Sequence, residues 1–139
     1  MTIALITLHL IVVAMGIGLS LSNYINTRLA LGNGMEYAKG LGLQRRTIAR
    51  TADGVIALIW VTGIALLLMR GMAGLGGVFL LKLLFVVALT VFHALARRAG
   101  VRMQKVTSLN LLPRMSQLIL GVFISAVAAL ICAEIAFRG

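Results

Sequence analysis

Apolar positions fall into four long runs, separated by polar and mostly basic stretches. A transmembrane helix needs roughly 20 largely apolar residues, and the pattern predicts four of them, at about 2–24, 50–69, 77–97 and 112–137. The second run is the shortest. Its apolar part begins at Gly54, so it recruits Ile48 to Asp53 as first turns, and Thr51-Ala52-Asp53 reads as a cap, with Asp53 favourable at a helix N-terminus. Gly71-Met72-Ala73-Gly74-Leu75-Gly76-Gly77 predicts a flexible turn before the third run. Pro113 falls in the first turn of the fourth, where its missing N–H costs little. The first run passes through Leu19-Ser20-Leu21-Ser22-Asn23 without a small-residue cleavage site, so it is expected to persist as a helix. The expected architecture is an all-α integral membrane four-helix bundle, one domain over residues 1–139.

Within these runs the polar residues are periodic. On the first, His9, Gly16, Ser20 and Asn23 recur at spacings of seven, four and three, which puts them on one helix face. On the third, Lys82, Val86, Leu89, His93 and Arg97 make a second stripe. Lys82 and His93 align within roughly 20° and stand about 16 Å apart along the axis, at ~1.5 Å per residue. Ionisable groups inside a bilayer are costly and face the bundle interior. Both stripes therefore read as walls of an internal site. His9 and Lys82 lie at one depth and His93 well below it, so the two histidines are not expected to clamp opposite faces of one planar ligand.

Composition agrees with the membrane reading: 61% of residues are hydrophobic and the mean hydropathy is +1.09. The net charge of +10 comes from 13 Lys and Arg against 3 acids. These cations gather in two places: Arg28, Lys39, Arg45, Arg46 and Arg50 between the first two runs, and Arg97, Arg98, Arg102, Lys105 and Arg114 between the last two. Loops of that kind define topology and contact anionic lipid headgroups rather than nucleic acid. The positive-inside rule then sets both basic loops in the cytoplasm and both termini outside, in a cell inner (plasma) membrane. Residues 35–46 are expected to lie along the headgroups. Cys132, the single cysteine, reads as a small packing residue.

Several chemistries are disfavoured. The chain has no His-Glu-x-x-His, no Cys-x-x-Cys, no phosphate-binding glycine loop and no serine-nucleophile motif. Imidazole, by contrast, is a common ligand of haem iron, which makes His9 and His93 the residues to follow. Each also has a plainer reading. His9 can bond a hydroxyl such as Ser125, His93 can bond a neighbouring helix, and Lys82 can snorkel to the interface. Glu134 can pair with Arg138 one turn on. Met15 and Met69 are candidate thioether ligands or core filling, and Trp60 is core packing or a flat wall for a planar ligand.

Taken in order, Leu8-His9, Arg45-Arg46, Ile59-Trp60-x-x-Gly63, Leu81-Lys82-Leu83-Leu84, His93 eleven residues after the lysine, and Asn110-x-x-Pro113 resemble the HemJ family of bacterial membrane protoporphyrinogen IX oxidases. The resemblance spans nearly the whole chain. It implies a haem b protein of tetrapyrrole metabolism that removes hydrogens from protoporphyrinogen IX and passes electrons to the respiratory chain. It also implies His9 as a haem ligand, Lys82 and His93 at the haem or substrate site, and Arg45 and Arg46 on porphyrin carboxylates. The chain departs from that pattern at Met15-Gly16, where the family carries a tryptophan, and over 22–28, where it carries Pro-Arg and aromatic residues. These departures suit a second reading: a non-catalytic accessory subunit packed against a larger respiratory or photosynthetic complex, or against further copies of itself. The 15 glycines favour the close helix approach this needs. A small transporter or channel is the least favoured reading, because four helices alone form a poor pore and no charged ring is visible.

Overall fold

The computed structural model describes residues 2–70, 76–106 and 109–138. Helical structure runs from Thr2 to Arg70 with one non-helical residue inside it, Gly34, at φ 83° and ψ −171°. That region of backbone space is open essentially to glycine alone. It reverses the chain, giving an antiparallel hairpin of α1 (Ile3–Gly34) and α2 (Glu36–Met69). The register places His9 beside Thr62 and Gly16 against Val55. After a connection that lies mostly outside the described residues come α3 (Gly77–Val106), a 3-10 turn (Leu109–Leu111) and α4 (Leu112–Arg138). The Gly76 carbonyl accepts from the N–H groups of Phe79 and Leu80 at the start of α3. The protein is an all-α four-helix bundle, and each helix is long and apolar enough to cross a membrane.

Four expectations are corrected here. No loop separates the first two spans, and no separate interfacial segment lies at 35–46, because both stretches are helix on either side of Gly34. The second span is the longest of the four at 34 residues. Asp53 sits in the interior of α2 rather than at its cap. Arg28, Lys39, Arg45, Arg46 and Arg50 lower the hydropathy without ending a helix, since Arg and Lys are good helix formers. At ~1.5 Å per residue the two hairpin limbs are each roughly 50 Å long and overrun a hydrocarbon layer of roughly 30 Å.

The core gathers on α4. Leu112, Met115, Ile119, Val122, Ala126 and Ala129 recur at helical spacing and are all buried. Cys132 continues the stripe as a buried free thiol. Ala30 and Ala38 of the hairpin pack on Leu112, Met115 and Ile119, and Leu89 and Phe92 of α3 pack on Val122 and Ala126. At Gly121 a Cβ would come within 3.1 Å of the Phe92 ring, so glycine lets that aromatic lie directly on the α4 backbone. Outward positions such as Ile11, Leu58, Leu84 and Ile131 are exposed and apolar, as a lipid-facing surface requires. The α3 backbone packs closely on α4 but stands off from the hairpin. Long side chains bridge that gap, and the candidate site lies in it.

Candidate functional site

Two cavities occupy the gap. The larger, about 710 Å³, is mainly apolar, and its lining includes His9, Trp60, Lys82, His93 and Glu134. The smaller, about 550 Å³, lies toward the Gly34 end and is lined by Lys39, Arg45, Arg46, Arg50 and Arg97. Ser20, Ala52, His93 and Val122 border both. The two polar stripes follow this layout. His9, Gly16 and Ser20 face the larger cavity with Lys82, Val86, Leu89 and His93, while Asn23 and Arg97 face the smaller. Met15 and Met69 line neither cavity and are half exposed on the outer surface, which removes them as ligands to anything bound inside.

His9 has a defined hydrogen-bonding state. Its Nδ1 lies 2.6 Å from Thr62 Oγ1, and the Thr62 hydroxyl donates its one proton to the Leu58 carbonyl at 2.6 Å. Thr62 can therefore only accept from the ring, so Nδ1 carries the hydrogen and Nε2 keeps a lone pair. Gly63, next to Thr62, lies against the imidazole, and a Cβ there would meet His9 Cε1 at 3.5 Å, an ordinary contact. The partner of His9 is thus Thr62 on α2, not Ser125 on α4.

Trp60 donates from Nε1 to Thr90 Oγ1 at 3.1 Å, and Thr90 donates in turn to the Val86 carbonyl at 2.9 Å. This anchors the indole across the gap as one wall of the larger cavity. Lys82 also lines it, with Nζ 5.9 Å from the centroid of the Phe79 ring. Glu134 lies on the wall too, and the side chain of Arg138, its expected pairing partner, lies outside the described residues.

His93 both bonds a neighbouring helix and lines the site. Its Nε2 donates to Asp53 Oδ1 at 2.6 Å, and Arg97 Nη2 donates to Asp53 Oδ2 at 2.8 Å. One carboxylate thus ties two turns of α3 to α2 at the boundary between the cavities. Asp53→Ala is expected to lower stability by about 1–2 kcal/mol, because it leaves both partners without their acceptor, with Asp53→Asn intermediate. A thermal melt in detergent measures this, and an unchanged Tm would mean that the clamp contributes nothing.

Asp53 and Thr62 are the site residues that sequence reasoning missed. For Asp53 a signal was available, since it is one of only 3 acids in the chain and stands just before the apolar run Val55 to Ile59. Nothing marked Thr62 before the hairpin register was known.

The structure also separates residues that were grouped together. From Thr62, beside His9, to Arg45 the α2 axis runs roughly 25 Å at ~1.5 Å per residue, and Arg45 and Arg46 line only the smaller cavity. That span exceeds the reach of a porphyrin's carboxylates from its own iron. One porphyrin therefore cannot be ligated by His9 and held by Arg45 and Arg46 together. No protein-family model, no curated protein and no solved structure matches the chain.

Proposed function

We propose that the chain is an integral membrane haem b protein of the bacterial inner membrane, acting in tetrapyrrole metabolism with oxidation of protoporphyrinogen IX as its activity. The observation that carries this reading is the state of His9: a ring on the wall of a large apolar cavity, with Nδ1 bonded to Thr62 and Nε2 left with its lone pair. Imidazole ligands to iron are oriented in this way, with the second ring nitrogen bonded to a fixed acceptor. The cavity volume of about 710 Å³ is in the range of cofactor sites. Trp60 gives it one aromatic wall. Among the described residues no three His, Cys, Asp or Glu side chains converge. A bare metal ion thus finds no cage here, whereas haem iron needs only axial ligands from the protein.

Bound haem would supply one-electron redox chemistry. The chain's own residues would do the rest. The apolar walls exclude water, His9 orients the cofactor, and Lys82 and the His93–Asp53 pair are the groups able to hold a proton beside a substrate. A reduced-minus-oxidised absorption spectrum of the detergent-purified protein, with a pyridine haemochrome assay, tests the reading. Near-stoichiometric haem b is the expected result. A colourless protein that co-purifies with a larger membrane complex would replace this reading with the accessory-subunit one, and the histidines would then be interhelical hydrogen bonds.

A further inference from the structure

The smaller cavity contains a group that the porphyrin reading does not use. Arg45 is 8% exposed, and its Nη1 is buried without a hydrogen-bond partner. Its Nη2 reaches only the thioether of Met115, at 3.5 Å, and sulfur of this kind is a weak acceptor. A guanidinium is always charged, and burying such a charge without a partner is strongly unfavourable. The neighbouring Arg46 and Arg50 are exposed at the rim. Arg97 is already offset by Asp53. Among the described residues no acidic side chain lines this cavity. Across the hairpin, the register that pairs His9 with Thr62 sets Asn26 opposite Arg45, and its Nδ2 is a second buried donor without a partner. Asn26 does not border the cavity, so the unmet donor on its wall is the Arg45 guanidinium, which, ringed by Lys39, Arg46 and Arg50, calls for a ligand with several acceptor oxygens and negative charge.

Depth points to the source. Arg45 lies about 16 Å from the Gly34 turn, at ~1.5 Å per residue. This is the part of the overlong hairpin that emerges from a hydrocarbon layer of roughly 30 Å, where lipid phosphates lie.

We propose that the Arg45 cavity is a second ligand site, separate from the His9 cavity, and that it binds the phosphate of an anionic phospholipid headgroup through the Arg45 guanidinium. Planar, bidentate hydrogen bonding of a phosphate is what that side chain is built for. Lys39, Arg46 and Arg50 add attraction at the rim. The inference does not rest on the porphyrin reading, because it concerns other residues and another cavity.

Native mass spectrometry of the full chain in neutral detergent tests it, with phosphatidylglycerol or phosphatidylcholine added. A parallel melt in inorganic phosphate separates lipid from free anion. The wild-type chain is expected to retain phosphatidylglycerol in preference to phosphatidylcholine. Arg45→Gln is expected to weaken that retention about tenfold or more, the loss of a hydrogen bond to a charged group. Arg45→Lys is expected to fall between, since it keeps the charge and loses the fork. Arg45→Met guards against misfolding: an apolar side chain beside Met115 relieves the buried charge, so this variant is expected to melt at or above the wild-type temperature without lipid and still fail to retain it. If inorganic phosphate stabilises the wild type but not Arg45→Met, with no lipid preference, the anion site stands and its lipid source is overturned. Equal phosphatidylglycerol retention by wild type and Arg45→Met, or no response to either phosphate source, overturns the proposal.

Discussion

Replacing His9 with alanine is expected to abolish haem retention through purification while leaving the bundle folded. The imidazole contributes one hydrogen bond to the fold, to Thr62 Oγ1, whose net worth to stability is about 1 kcal/mol. As the only axial ligand identified, it carries most of the protein's hold on iron. Two further measurements separate a ligand from a merely structural histidine. Added free imidazole is expected to restore the haem spectrum in His9→Ala, because the truncation leaves space where the ring stood. Thr62→Val keeps the ring but removes the acceptor that fixes its tautomer. It is expected to reduce haem affinity by roughly 10–100-fold, the usual cost of losing a partner that orients a metal ligand. Full haem content in a folded His9→Ala protein would remove His9 from the site.

The second large effect is expected at the hairpin turn. Gly34→Ala is expected to destabilise the protein by about 1–3 kcal/mol, the cost of holding a side-chain-bearing residue in a glycine-only conformation. Space is not the issue, because a Cβ at Gly34 would meet nothing within 4 Å. Gly32 supplies the control. It is equally open but helical, and alanine there is expected to be neutral or stabilising by about 0.5–1 kcal/mol. Thermal melts of the two variants in one detergent decide the matter. Equal Tm values would mean that the chain reversal does not depend on the positive φ of Gly34. The turn matters to the site because the hairpin register it closes is what sets Thr62 beside His9 and Asn26 opposite Arg45.

The link between the two cavities is His93. It borders both and gives its Nε2 to Asp53. Only Nδ1 remains for any other partner, the same one-nitrogen-held arrangement that His9 has on Thr62, with the ring nitrogens exchanged. The sequence reading put it at the haem or substrate site on the strength of the Lys82 spacing. Its position on the cavity wall is compatible with that role, and its bond to Asp53 adds a constraint that the spacing did not contain.

Periodicity and hydropathy alone determined the number of spans, the all-α class and the inward faces of α1 and α3. These properties are local: the apolar length that crosses a bilayer and the 3.6-residue repeat are both read within one helix. The same local reading misjudged residues 25–49 because charge was taken to end a helix, when in this chain the helix continues through the charged stretch on either side of Gly34. Which residues meet across helices was decided only by the tertiary structure. One backbone angle at Gly34 sets the α1–α2 register, and that register gives His9 its acceptor and fixes its tautomer. The stand-off of α3 from the hairpin opens the cavities and draws Asp53 across to His93 and Arg97. The continuation of α2 through Arg45, roughly 25 Å from Thr62 at ~1.5 Å per residue, divides what the sequence had grouped as one site into two. Pairings of this kind depend on the angles and distances between elements, which no helix encodes by itself.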